Sequence, residues 1–192
     1  MNEKVKELFT THGGYLTRKQ IPDMATYRQI TRLVEKGIVE RVRRGVYLYT
    51  DEGGTMIDID KVVPGGVLCL FSAWFYYDLT LYVPHSHSIA IERSRKVVLP
   101  DYPPITLYYW QNEYYELGKT RETIDGYEVS IYNLEKCVCD AVKFRNKVGI
   151  EILKEVIQGY VKRRDRNFSR LMEYAKKMRI EKIIRTYLEV SV

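Results

Sequence analysis

Gly37 and Gly45 constrain the start of this chain most strongly, because they punctuate "TYRQITRLVEKGIVERVRRGVYLYT", residues 26–50, where the hydrophobic period changes. Before Gly37 the period is helical. At about 100° per residue, Tyr27, Ile30, Leu33 and Val34 fall on one arc. Arg28, Arg32 and Lys36 lie on the other, at i, i+4 and i+8. Gly37 stands where a C-cap glycine belongs. Ile38 to Arg43 and Val46 to Thr50 are β-rich runs joined at Arg44-Gly45, a hairpin signal. Arg41 and Arg43 share a strand face. Glu40 shares the parity of Ile38 and Val42, a flaw in the alternation.

Upstream, Val5, Leu8 and Phe9 have helical spacing between Glu3 and Thr11, and Gly13-Gly14 stops that helix. Tyr15 and Leu16 lead to Thr17, a good N-cap for a short second helix through Ile21. Pro22-Asp23 breaks the chain. The third helix runs from about Ala25 to Lys36. Helix, helix, helix and two-stranded wing is the order of a winged helix-turn-helix, expected over residues 1–55.

Charge is unevenly placed. Residues 1–50 carry 10 Lys/Arg against 5 Asp/Glu, residues 51–132 carry 6 against 12, and residues 133–192 carry 15 against 8. Two cationic regions thus flank an acidic one. Clustered cations favour an anionic polymer, because phosphate contacts release condensed counterions. In a winged helix-turn-helix the third helix enters the major groove. Arg28 and Arg32 can then make bidentate contacts to guanine, and Gln29 to adenine, with Thr26 and Lys36 on the same helix. Arg41, Arg43 and Arg44 would reach the flanking backbone. Thr17, Arg18 and Lys19 open the second helix, where amides and side chains can bind phosphate. The open alternative is a solvated basic module used for protein contact.

"TDEGGT", residues 50–55, reads as a linker. An apolar helix is expected from Val67 to Tyr77. Strands are expected at Ser88–Ile91, Thr106–Trp110, Arg121–Ile124 and Glu128–Tyr132, the last two joined by the hairpin turn Asp125-Gly126. "LPDYPP", residues 99–104, must be a loop. Helices are expected at 134–146, 150–160, 167–178 and 180–190. Leu153, Val156, Ile157 and Tyr160 form one apolar stripe. Phe168, Leu171, Met172 and Ala175 form another, and Ile183, Ile184, Tyr187 and Leu188 a third. "KRRDRNFSR" offers a possible second basic surface of Lys162, Arg163, Arg164, Arg166 and Arg170, or a solvated turn. The fold class is α+β: the winged helix, then a mixed sheet-and-helix domain over 56–192 that ends in a helical bundle.

No catalytic, metal or cofactor site is expected. Asp58 and Asp60 in "GGTMIDID" would share a strand face and could hold Mg²⁺ as in nucleotidyltransferases, but Gly54 is too close to Asp58 and no third carboxylate follows. His85, His87, Cys137 and Cys139 lack convergent spacing. The cysteines read as core and the histidines as surface. Three cysteines without framework spacing fit a reducing cytoplasm. The first ten residues carry acids and read as no signal peptide. No apolar run approaches a membrane span.

"GGYLTRKQI", the segment from Thr26 to Tyr49 and "LEKCVCDAVKFRNKVG" with the late helices through "LMEYAKKMRI" are similar to the AbiEi antitoxins of type IV toxin–antitoxin systems. The resemblance covers both ends and, more weakly, the middle. It implies a phage-defence role, with an N-terminal domain that binds repeated sites in double-stranded promoter DNA and represses its own operon. It also implies a C-terminal domain that neutralises a nucleotidyltransferase-like toxin. The rival readings are a winged-helix regulator with a ligand-sensing C-terminal domain, and an enzyme with a DNA-targeting head.

Overall fold

Polar side chains cap the starts of several helices, with Asn2, Asp23, Asp58, Asn133 and Asn167 each accepting a backbone N–H of the first turn. The computed structural model describes residues 1–49, 58–100 and 103–191. The linker at residues 50–55, the boundary at 55/56, Gly53-Gly54 and Asp101-Tyr102 of the proline loop lie outside the described residues.

α1 (Glu3–Thr11) starts at Asn2, whose side chain accepts the Lys4 N–H. β1 (Tyr15–Thr17) follows, then one 3-10 turn at Arg18–Gln20. This corrects the expected second helix. The Gln20 side chain accepts both the Thr17 N–H, at 2.7 Å, and the Thr17 hydroxyl, at 2.8 Å. Pro22 then blocks any extension, because the residue before a proline avoids helical backbone. α2 (Met24–Glu35) starts earlier than expected. Asp23 caps it by accepting the Thr26 N–H at 2.7 Å. Gly37, at φ +67°, ends it as expected.

β2 (Glu40–Arg43) and β3 (Val46–Leu48) form the hairpin, and β1 pairs with the outer side of β3, giving the order β1-β3-β2. Glu40 pairs with Leu48 and Arg43 with Val46, so Arg41 and Val42 together oppose Tyr47. This bulge explains the flawed alternation. Val39 and Val42, three residues apart, are both buried, in two different cores, while Glu40 and Arg41 face solvent.

The small sheet is buried on both faces. Leu16, Val39 and Tyr47 pack with Val5, Phe9, Ile21 and Ile30. Tyr15, Val42, Val46 and Leu48 join the core of the remaining chain. Tyr15 accepts the Asp58 N–H at 3.0 Å and meets Tyr127 edge-on, while the Tyr127 hydroxyl donates to the Gly13 carbonyl at 2.9 Å.

The second sheet has the order β6-β5-β4-β8-β7. β4 (Val67–Leu68) lies at its centre, antiparallel to β5 (His87–Glu92) and parallel to β8 (Tyr127–Tyr132). β6 (Ile105–Trp110) runs parallel to β5, and β7 (Lys119–Ile124) pairs antiparallel with β8 through Asp125-Gly126. Two features differ from expectation. Val67–Leu68 is strand, so the helix shortens to α4 (Leu70–Tyr76) behind a cap at Cys69. A short helix, α5 (Asn112–Glu116), separates β6 from β7. α3 (Ile59–Val62) precedes β4.

The C-terminal helices are α6 (Leu134–Lys143), α7 (Arg145–Val148), α8 (Ile150–Lys162), α9 (Phe168–Lys177) and α10 (Glu181–Ser191). The expected helix over 134–146 therefore divides at Phe144. α8 buries its whole expected stripe, but Phe168 is 41% exposed and meets Tyr160 edge-on at the start of α9. α6 is the hub: α4, α8, α9 and α10 pack on it, and every residue from Leu134 to Val142 is buried. The chain is α+β, with N-terminal helices and a small sheet, a mixed sheet, and C-terminal helices.

Candidate nucleic-acid interface

Burying the Tyr27–Ile30–Leu33–Val34 arc of α2 turns the opposite face outward. Arg28, Gln29, Arg32 and Lys36 are all exposed. Arg41, Arg43 and Arg44 are exposed on the hairpin, as are Arg18 and Lys19 in the 3-10 turn.

The turn and the hairpin are held together. The Arg18 N–H donates to the Gly45 carbonyl at 2.7 Å. The Arg18 guanidinium lies 4.5 Å from the centre of the Tyr27 ring, a cation–π contact, and touches Met24. Tyr47 donates to the Tyr27 hydroxyl at 3.5 Å. That bond holds the Tyr27 phenol below its ordinary value against burial, with the charges of Arg18 and Arg41 adding to it. Burial, and then Tyr27, push the Tyr47 phenol up to about 12. One tyrosine pair thus sits beside a cation from the turn and a cation from the hairpin. Sequence reading placed these cations in one unit but gave no sign of the tyrosines between them.

Two expected contact residues are otherwise engaged. Thr26 is 7% exposed, and its hydroxyl donates to Asp23 at 3.1 Å. Its side chain is committed to the Asp23 cap. The Thr17 hydroxyl is spent on Gln20, so only its position beside Arg18 remains relevant.

The second basic surface divides. Arg163 bonds both Asp165 oxygens at 2.8 Å and the Tyr77 carbonyl at 2.8 Å, which clamps the end of α8 to the end of α4. Asp165 and then its own burial act oppositely on the Arg163 guanidinium, and the net is upward. Arg170 pairs at 3.5 Å with buried Glu135, which also accepts from Tyr160 and the Asn167 N–H. Arg166 reaches back to the Arg163 carbonyl. Lys162 and Arg164 are exposed.

Asp58 and Asp60 do not form a strand pair. Asp58 caps α3 by accepting the Lys61 N–H and pairs with the Lys61 ammonium at 2.9 Å, while Asp60 accepts the Gly65 N–H. Among the described residues no three His, Cys, Asp or Glu side chains cluster around a common point. Cys137 and Cys139 are buried, and burial pushes both thiols up. His85 is exposed, and burial lowers the His87 imidazole.

Sequence reading missed the charged centre of α6. Lys136 and Asp140, one helical turn apart, are 0% and 1% exposed, with Nζ 2.6 Å from Oδ1. Lys136 also lies over the Trp110 ring at 3.8 Å and the Tyr132 ring at 4.4 Å. Nothing in the sequence signals this burial, since Lys136, Asp140 and Lys143 fall on one face of the helical wheel as solvated charges do.

Residues 3–50 match a protein-family model described as "Transcriptional regulator, AbiEi antitoxin". No curated protein matches the chain. The fold is similar to the crystal structure of the RV2827C protein from Mycobacterium tuberculosis, with a TM-score of 0.61 at 12% identity over 90% of this chain and 70% of that one. Among the described residues no helix is long and apolar enough to cross a membrane.

Proposed function

We propose that this chain is a cytoplasmic antitoxin and transcription regulator of the AbiEi type. Residues 1–55 bind promoter DNA and repress the chain's own operon. Residues 56–192 serve to neutralise a nucleotidyltransferase-like toxin. The observation that carries the reading is the joint exposure of a basic helix face and a basic wing: Arg28, Gln29, Arg32 and Lys36 on α2, with Arg41, Arg43 and Arg44 on the hairpin. A major-groove helix needs outward groups that reach base edges, and a wing needs groups that reach phosphate. The match of residues 3–50 to a transcription-regulator family supports the same assignment.

The contact set is Arg18, Lys19, Arg28, Gln29, Arg32, Lys36, Arg41, Arg43 and Arg44. The chain acts as a binding protein in this reading, not as an enzyme, because Asp58 and Asp60 are committed to helix and loop capping. The test is fluorescence anisotropy of the full chain on DNA upstream of its own reading frame. Tight binding there, and weaker binding to shuffled DNA, is expected. A second reading, regulation by a small ligand, is favoured by one observation, a mostly apolar cleft of about 170 Å³ beside Trp110.

A further inference from the structure

The middle of the chain is acidic, with 6 Lys/Arg against 12 Asp/Glu over residues 51–132. Half of those cations nevertheless fall in one stretch, Arg93-Ser94-Arg95-Lys96. This stretch is the turn that ends β5. The Arg93 N–H donates to the Trp110 carbonyl at 2.7 Å and the Arg95 N–H to the Glu92 carbonyl at 3.0 Å, so the turn's backbone is fixed. Arg93 and Lys96 are exposed. The Arg95 guanidinium lies over Gly65, where a side chain would meet its Nη1 at 3.1 Å.

The charges of this turn are not balanced locally. Elsewhere in the acidic segment, Lys61 pairs with Asp58 at 2.9 Å and Lys119 with Glu116 at 3.7 Å. Among the described residues no carboxylate pairs with Arg93, Arg95 or Lys96. Three neighbouring cations without a counter-charge raise the local potential and draw an anion to it.

Sheet register places the turn at the end of the molecule that meets the winged unit. Leu68 of β4 pairs with Ile89 on one side and with Ile131 on the other, and β5 runs opposite to β8. Arg93 lies four residues after Ile89, and Tyr127 four residues before Ile131, so the two stand level. Two strand spacings, roughly 10 Å, separate them. Tyr127 reaches the winged unit at Gly13 and Tyr15. From there β1 and β3 lead to the hairpin tip at Arg44-Gly45. The path from Arg93 to that tip is on the order of 30 Å by strand rises and spacings. One turn of B-DNA is about 34 Å, so a single duplex is long enough to meet both.

We infer that the Arg93–Lys96 turn is a second contact for the duplex bound by α2 and the hairpin. Its cations meet phosphates on the flank of the site, read no bases and lengthen the footprint. This rests on the DNA-binding reading above.

The test is anisotropy of the full chain on upstream DNA in two lengths, across a salt series. The duplexes are about 12 and about 35 base pairs, roughly one and three helical turns, both centred on the protected site. A random sequence of each length is the comparison. The wild type should show a steeper salt slope on the long duplex, by two to three contacts at about −0.9 each. Arg93→Ser with Lys96→Ser removes the exposed pair and leaves Arg95 on Gly65. That variant should bind long duplexes of either sequence about tenfold more weakly, with a slope reduced by about two, and match the wild type on the short one. Arg93→Glu with Lys96→Glu should lose more. Lys176→Ser with Lys182→Ser, exposed on α9 and α10, changes net charge equally and should lose far less. If the wild type binds and the Arg93/Lys96 serine variant keeps its affinity and slope on the long duplex, this inference is overturned and the DNA reading stands. A loss as large on the short duplex, or in the Lys176/Lys182 control, overturns it equally. No binding of either duplex by the wild type defeats the DNA reading itself, and this inference with it.

Discussion

The backbone N–H of Arg18 donates to the carbonyl of Gly45 at 2.7 Å. The tip of the hairpin is thereby tied to the turn that precedes α2, and the wing is held in one position relative to the exposed helix face. Gly45 sits at φ +75°, where a side chain costs about 1–2 kcal/mol.

Gly45→Val should therefore lower stability by about that amount and weaken DNA binding for all sequences alike. Thermal melting and anisotropy on promoter and random DNA check this. A loss confined to promoter DNA would place Gly45 in sequence reading instead.

The Asp140 carboxyl makes stability depend on pH. Burial pushes it up to about 6, with the Lys136 ammonium opposing. The ordinary value is 3.8, so between 3.8 and about 6 the folded chain holds a proton that the unfolded chain has released. The stability this group contributes is complete below that window and falls as pH rises through it. Melting temperatures of the wild type minus those of Asp140→Asn should decline from pH 4 to pH 6. In Lys136→Met the decline should extend to higher pH. A flat difference would contradict the assignment.

Arg163 should be structural and Arg164 should not. Arg163→Ala removes the clamp on the Tyr77 carbonyl and should lower the melting temperature. Lys162→Ser with Arg164→Ser should leave melting unchanged, since surface changes usually stay within about 0.5 kcal/mol. If the double variant folds yet no longer protects cells from the induced toxin, these two residues belong to the neutralising surface. Normal protection moves that surface elsewhere.

Much of the fold was legible because local signals agreed with tertiary needs. Gly37 and Asp125-Gly126 acted where their chemistry predicts. The misses came where long-range pairing overrode local pattern. Val67 and Leu68 continue an apolar run that looks helical, yet β5 and β8 claim them as a central strand. Glu40 broke the alternation because of a bulge that only pairing with β3 reveals. Arg28, Arg32 and Lys36 were legible as an outer face from the helical wheel. The burial of Thr26 and the stacking of Arg18 on Tyr27 were not, since both depend on neighbours that no period encodes. Lys136 and Asp140 were missed because charged letters are ordinarily solvated, and this pair is buried by partners brought from β6, β8 and α9.

Repression and neutralisation should be separable. Arg32→Ala with Arg44→Ala changes two exposed positions and should abolish repression of a reporter driven by the native promoter. Supplied from a foreign promoter, the same variant should still protect growth when the toxin is induced. Equal loss of both activities would defeat the division of labour.

The central claim is that α2 reads sequence while the hairpin supplies affinity. The direct measurement is anisotropy of Arg28→Ala, Arg32→Ala and Arg43→Ala, each on upstream DNA and on random DNA across a salt series. Log affinity should fall with log salt at about −0.9 per phosphate neutralised. Each α2 variant should lose about 1–3 kcal/mol on upstream DNA and much less on random DNA. Arg43→Ala should weaken both equally and reduce the salt slope by about one. Equal losses on both DNAs for Arg28→Ala and Arg32→Ala, or no salt-dependent binding by the full chain, would contradict the account.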